Sequence, residues 1–244
     1  MHYSWDFLIY FKPSLTGEGY YWELILSGLW MTVSVSLISW VLALGLGTLV
    51  GIARSLPYRM LSIPAMLFVH VFRNTPLLVQ VFIWFFVVPE ILPPEWGKVI
   101  KTMDPGWSQF LTIVLALTIY SAAKAAEVIR AGIEALPKGQ TQAGVALGLN
   151  LSQRYRYIIL PQAFRMILPP LTSDFLNVFK NSSIAMTIGL MELTASTRQI
   201  SDFSAQPFEA FIAATLIYSL ITLSVIALMR VIEKRTQIPG LIGA

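Results

Sequence analysis

In this chain of 244 residues, 56% are hydrophobic and only 12% are charged, about half the roughly 25% usual for a soluble domain. That balance excludes intrinsic disorder, and the absence of cysteine excludes disulfide scaffolds, thiolate metal sites, Fe–S clusters and cysteine nucleophiles. The net charge of +4, from 17 Lys and Arg against 13 Asp and Glu, follows from membrane topology and gives no reason to expect a nucleic-acid partner.

The N-terminal stretch up to Glu23 has acids and aromatics but neither a basic start nor an apolar centre. It is not expected to be a cleaved signal, so the first span would serve as the insertion signal. A spanning helix needs roughly 20 mostly apolar residues. No charge occurs between Glu23 and Arg54, which predicts a first span over about 24–53. A second, about 61–88, is interrupted only by His70 and Arg73, and Pro76 should bend it. The third covers about 105–126. The fourth, about 157–180, carries Arg165, Asp174 and Lys180 together with Pro161, Pro169 and Pro170, and is expected to be kinked. The fifth covers about 210–230. The expectation is an all-α membrane protein forming a single transmembrane domain over residues 1–244.

Basic residues collect on the cytoplasmic side of membranes. With the N-terminus outside, the inner segments hold Arg54, Arg59, Lys124, Arg130, Lys138, Arg154, Arg156, Arg230, Lys234 and Arg235, and the outer ones only Lys12, Lys98, Lys101, Lys180 and Arg198. An odd number of spans then leaves the C-terminus cytoplasmic. Trp5, Trp22 and Trp107 lie near outer span ends and read as interfacial anchors. Gly47 and Gly51 form a small-residue face suited to helix packing. His2 and His70 are isolated, and no metal or triad spacing occurs.

The segment between spans three and four is too polar to cross. Pro137 can open a helix there, Gly148 can close it, and Ser152 can cap the next. The resulting helix, about 138–150, shows Ala143, Gly144, Ala146 and Gly148 on its faces. Small residues there suit either a partner surface or packing on the chain's own bundle.

Gln142-Ala143-Gly144, then Gly148, then Ile158, Leu160 and Pro161 resemble the EAA signature of ABC-importer permeases, with the spacing kept and with Gln142 and Gly144 as departures. Arg73-Asn-Thr-Pro-Leu-Leu-Val-Gln80, Glu127-Val-Ile-Arg-Ala-Gly-Ile133 and Lys180-Asn-Ser-Ser183 resemble segments of polar amino-acid permeases. The Val88–Pro93 and Asp202–Ala205 segments narrow the likeness to glutamate/aspartate importers. The resemblance implies the type I importer permease fold, with five core spans and a cytoplasmic coupling helix in which Gln142, Ala143, Gly144 and Gly148 meet an ATPase. It implies a cytoplasmic ABC ATPase dimer, a second permease subunit forming a heterodimer, and a periplasmic amino-acid-binding protein, all at the bacterial inner membrane. ATP and Mg would be bound by the partner ATPase. This chain holds no G-x-x-x-x-G-K-[ST] loop, and no cofactor is expected in it. It would be a translocation subunit and not an enzyme. A gradient-driven secondary transporter is the alternative.

Charges deep in a bilayer usually face a cavity or a partner. Arg73, roughly 18 Å into a straight second span at 1.5 Å per residue, reads either as a cavity cation for a carboxylate or as a partner of Glu127 or Asp174. Arg165, near a span end, can snorkel. Asp174, Asn177 and Asn181 share a helix face, with Lys180 beside it. Asp174 can accept from a substrate ammonium, and Asn177, Lys180 and Asn181 can donate to its carboxylates. An Asp174–Lys180 pair holding a kinked helix explains the same residues. By resemblance, the neutral Asn181 beside Lys180 suits an acidic amino acid.

Overall fold

The computed structural model describes residues 3–15 and 19–236. His2, Glu18 and the C-terminal tail from 237, with its expected cytoplasmic end, lie outside the described residues. The described chain is helical throughout, and its one β-bridge pairs Pro13 with Tyr20.

A short 3₁₀ helix, Phe7–Phe11, leads into α1, Tyr21–Ser55, whose 35 residues exceed what the hydrocarbon core requires. Glu23 in its first turn and Arg54 in its last match the helix dipole. α2, Arg59–Asn74, stops at Thr75, which stands extended before Pro76. Proline disfavours a helical residue before it, and its ring removes a donor. The chain resumes as α3, Leu77–Phe82, a π-helical turn Ile83–Val87, and α4, Val88–Ile91. The second expected span is therefore broken between Asn74 and Leu77, where the sequence suggested a bend.

α5, Pro94–Thr102, and α6, Pro105–Glu134, follow. Then come α7, Lys138–Ala146; α8, Leu151–Arg154; a π-helical turn, Tyr155–Ile159; and α9, Leu160–Asn181, with Pro169 and Pro170 inside it. A 3₁₀ segment, Ser182–Ile188, ends at Gly189, whose φ of 89° terminates it. α10, Leu193–Ser204, and α11, Pro207–Thr236, complete the chain.

Among the described residues, α1, α6 and α11 are each long and apolar enough to cross a membrane, and the bent pair makes up to a fourth. α9 is not among them, since Arg165, Asp174 and Lys180 lower its apolarity. In α11 only 6% of the most apolar stretch is buried, and Leu216, Leu220, Leu223 and Leu228 are exposed. A helix this apolar and this uncovered needs hydrocarbon around it.

The chain forms two compact units. The first comprises the chain up to Ser39, Pro76–Leu117 and Asn177–Ser224. Ile9, Tyr21, Ile25, Leu193, Ile200 and Ala210 form a buried cluster within it. The second comprises Trp40–Thr75, Thr118–Leu176 and the chain from Val225 on. In it α1 and α6 approach backbone to backbone. A Cβ on Gly47 would stand 2.9 Å from the Ala122 carbonyl oxygen, and one on Gly51 would stand 2.8 Å from that of Ala126. Fully buried Ala122, Ala125 and Ala126 complete this small-residue seam, as the sequence suggested. Gly45, by contrast, faces open space. Gly51→Leu is expected to destabilise the protein by about 1–3 kcal/mol through overpacking, while Gly45→Leu is near neutral. Thermal unfolding of the two variants in one detergent checks this, and equal melting temperatures would refute the close approach.

Candidate functional site

The polar loop is built as a short, firmly capped helix. Pro137 occupies the cap position of α7 and not its first turn. After Leu147, Gly148 adopts φ 72°, and the Leu149 N–H donates to the Gly144 carbonyl (3.0 Å) while the Gly148 N–H donates to that of Val145 (2.9 Å). This paired-bond ending closes α7 at Ala146, short of the expected 150. The next helix is capped by Asn150 and not by Ser152. Asn150 Oδ1 accepts from the Gln153 N–H, and Gln153 Oε1 from the Asn150 N–H, both at 2.9 Å. The reciprocal pair satisfies two end donors at once, which a serine at 152 would not.

Small residues on α7 divide between two roles. Gly144 is buried, and a Cβ there would meet Ile158 Cδ1 at 2.9 Å and Arg154 Cγ at 3.0 Å. It therefore faces the chain's own following helix and not a partner. Gly148 ends the helix through its backbone. Gln142 and Ala143 are exposed, as are Val145 and Leu147, at 56% and 76%. These two apolar side chains were missed, although they alternate with the small residues in the same loop.

Within the second unit lies a cluster of opposite charges. Glu127 on α6 pairs with Arg54, at the end of α1, and accepts from Arg130 Nη2 at 2.6 Å. Arg130 also pairs with Glu134. Arg73 Nη1 stands 3.8 Å from Glu127 Oε2, beyond hydrogen-bonding distance. Its side chain is 49% exposed, whereas those of Arg54 and Glu127 are 11% and 23% exposed. Because α2 ends at Asn74, Arg73 sits in a last helical turn, where a cation is favoured, and not deep within a straight span. The depth argument made from the sequence thus gives way to the break at Thr75. Arg73 and Lys124 both lie within electrostatic reach of half-buried Asp174, and the Lys124 ammonium stands 5.1 Å from the Tyr120 ring centre. Arg165 is exposed.

The remaining polar residues of α9 sit near its end. Asn177 and Asn181 are half-buried and Lys180 is exposed. No ion pair joins Asp174 to Lys180 among the described residues. Lys180 instead lines a cleft of ≈ 700 Å³ in the first unit, beside Ser183, Thr194, Tyr218 and the apolar Phe211 and Ala214.

Two acids, Glu192 and Glu209, are fully buried. Glu192 caps α10, accepting from the N–H groups of Ala195 (2.8 Å) and Thr194 (2.9 Å) and from the Tyr218 hydroxyl (3.0 Å). Thr32 joins it at 3.4 Å and accepts from the Leu193 N–H at 3.1 Å. An acid directly before a polar helical run was the signal available for this cap. Glu209, in the first turn of α11, accepts from the Asp6 N–H at 2.7 Å and from the Tyr3 hydroxyl.

The described residues thus offer a cluster of fixed charges, a cleft beside Lys180 and an exposed loop helix. Residues 43–238 match the family model described as a binding-protein-dependent transport system inner membrane component. The glutamate/aspartate import permease protein GltJ of Escherichia coli K12 is 41% identical over 244 residues, covering 100% of this chain and 99% of that one. The L-cystine transport system permease protein TcyB of Bacillus subtilis 168 is 32% identical over 216 residues, covering 88% of this chain and 87% of that one. Among solved structures, an amino acid ABC transporter crystallised with histidines superposes with a TM-score of 0.78 at 31% identity, covering 96% of this chain and all of that one. These likenesses over the whole length show the type I permease fold, and with it the chain belongs to the binding-protein-dependent inner membrane components, as a multi-pass permease of the amino-acid ABC importers.

Proposed function

We propose that this permease passes acidic amino acids, glutamate and aspartate, across the bacterial inner membrane in five crossings, by alternating access. The observation that carries the choice of substrate is a local charge imbalance. Arg54 and Arg130 satisfy Glu127 and Glu134. Arg73, which also stands 3.8 Å from Glu127, and Lys124 both act on Asp174, and the whole cluster keeps a surplus of one positive charge. A zwitterion with an acidic side chain carries one net negative charge and matches it, whereas a cationic amino acid would be repelled. The 41% identity to a relative named for glutamate and aspartate supports the same reading. Asn177, Lys180 and Asn181, further along α9, are assigned to guiding the substrate carboxylates.

Energy comes from a partner ATPase dimer that binds ATP and Mg, with a second, different permease chain beside this one and a periplasmic binding protein delivering substrate. The N-terminus lies outside and the C-terminus in the cytoplasm. Within α7, the surface assigned to the ATPase is the exposed set Gln142, Ala143, Val145 and Leu147, with Gly144 and Gly148 shaping the helix behind it. Leu147→Asp is expected to leave insertion intact and to lower ATP-driven uptake about tenfold or more, as loss of one central apolar contact does at an interface.

The deciding experiment is import of labelled glutamate, aspartate, arginine and glutamine into vesicles holding the assembled complex with ATP inside. Acidic substrates should be imported and arginine refused. Uptake that needs no ATP but collapses with the proton or sodium gradient would replace this reading with a secondary transporter.

A further inference from the structure

The stretch before α1 has no place in the transport cycle above, yet it is fastened with more bonds than a passive leader needs. Tyr3 donates through its hydroxyl to Glu209, the Asp6 N–H donates to Glu209 Oε1 at 2.7 Å, and the Tyr10 hydroxyl donates to the Glu209 carbonyl at 2.8 Å. The phenols of Tyr3 and Tyr10 are both pushed up to about 12, each by burial first and then by the Glu209 carboxylate. Both therefore remain neutral donors at any physiological pH. Ile9 alone of the 3₁₀ turn is buried, inside the cluster with Tyr21 and Ile25.

This fastening fixes the segment's height. Glu209 stands in the first turn of α11, a helix apolar enough to cross a membrane. Whatever is tied to that turn lies at the level where α11 meets the membrane boundary. The faces turned outward are apolar: Trp5, Phe7, Leu8 and Phe11 are 52–71% exposed. Trp5 and Phe7 stack at 5.7 Å, and both Tyr3 and Trp5 contact Phe208. Phe208 opens a shallow apolar groove of ≈ 380 Å³ that runs along α11 through Phe211, Ile212 and Leu216. The apolar face of the segment is thus continuous with the bilayer-facing side of α11. The two charged residues, Asp6 and Lys12, pair with each other.

We infer that residues 3–15 form an interfacial float, lying in the headgroup region with Trp5, Phe7, Leu8 and Phe11 dipped into the acyl boundary, and that the ligand of this surface is phospholipid. Aromatic side chains with one wet and one apolar end settle at that depth. The groove beside Phe208 takes the upper part of an acyl chain. The inference rests on membrane insertion and on the Glu209 tie, and it holds whichever side the segment faces and whatever amino acid is carried.

This chain has no cysteine, so it can be labelled at one introduced site before it is assembled with its partners. The chain carrying Leu8→Cys or Phe11→Cys is spin-labelled, and the complete transporter assembled with it is reconstituted in phosphatidylethanolamine–phosphatidylglycerol vesicles. Collisions with oxygen and with a water-soluble nickel chelate are then compared, with Leu216→Cys as the bilayer reference. Both sites are exposed, so neither change disturbs the fold. The expected result is a depth of roughly 5–10 Å below the phosphates at both positions, as for interfacial helices. Adding Glu209→Ala should raise label mobility and return both labels toward water. Collision rates matching free label in water would overturn the inference. So would labels that leave water only when the purified amino-acid-binding partner is added, which would make the surface a protein dock.

Discussion

Arg73→Gln is expected to cut glutamate import by about 10- to 100-fold, because a charge-assisted hydrogen bond to a substrate carboxylate is worth roughly 1.5–3 kcal/mol. The reasoning starts from which arginine is spare. Arg54 and Arg130 are close to Glu127 and partly buried. Arg73 is half-exposed and pairs with that carboxylate only loosely, at 3.8 Å, so it is the arginine best placed to meet another anion. Removing it leaves Lys124 and Asp174 balanced, which erases the preference for a net negative substrate. Import of glutamine should therefore fall less than that of glutamate, and Arg73→Lys should recover part of the loss. The measurement is initial uptake by the assembled complex with the binding partner saturated. An equal fall for every substrate, together with reduced assembly, would make Arg73 part of the frame instead.

Glu127→Gln should have the largest effect on stability. The carboxylate joins the end of α1 to the α6 face through Arg54 and Arg130. Neutralising it strips the buried Arg54 guanidinium of its anion and leaves Arg130 with Glu134 alone, which costs about 3 kcal/mol. The melting temperature in detergent should drop by several degrees, and the drop should be partly reversed by Arg54→Gln in the same chain. A double variant no better than the single one would show that the pair is not coupled.

Much of the architecture was legible because lipid imposes simple rules. Charge-free runs fall inside α1, α6 and α11, although α6 runs on past the expected 126 to Glu134. Gly47 and Gly51 announced a helix contact because only small residues permit backbones to meet. Pro76 announced a bend, and the helix is instead interrupted outright at Thr75. The error at Arg73 followed directly, since depth was counted along a straight helix. Ser152 lost its capping role to Asn150 because a reciprocal Asn–Gln pair outweighs a lone hydroxyl. The burial of Glu192 and Glu209 was unreadable for another reason. Their partners, Thr32 and Tyr218 for one and Tyr3 and Asp6 for the other, are remote in sequence. A buried acid stabilised over such separations looks, in the sequence, like any surface acid. For the α9 residues, side-chain chemistry suggested a polar path, and the structure adds that Asp174 has Arg73 and Lys124 as neighbours.

The contact of Gly144 with Ile158 and Arg154 has a mechanical consequence. Those two residues flank and occupy the π-helical turn Tyr155–Ile159, where one extra residue widens the coil. A glycine at the contact leaves no side chain to deflect, so a load on α7 reaches α9 with little slack. It arrives where the coil can most readily shift phase. A small displacement at the loop would then be read out as rotation of α9 about its own axis, turning Asp174 like the tooth of a gear rather than pushing it like a piston.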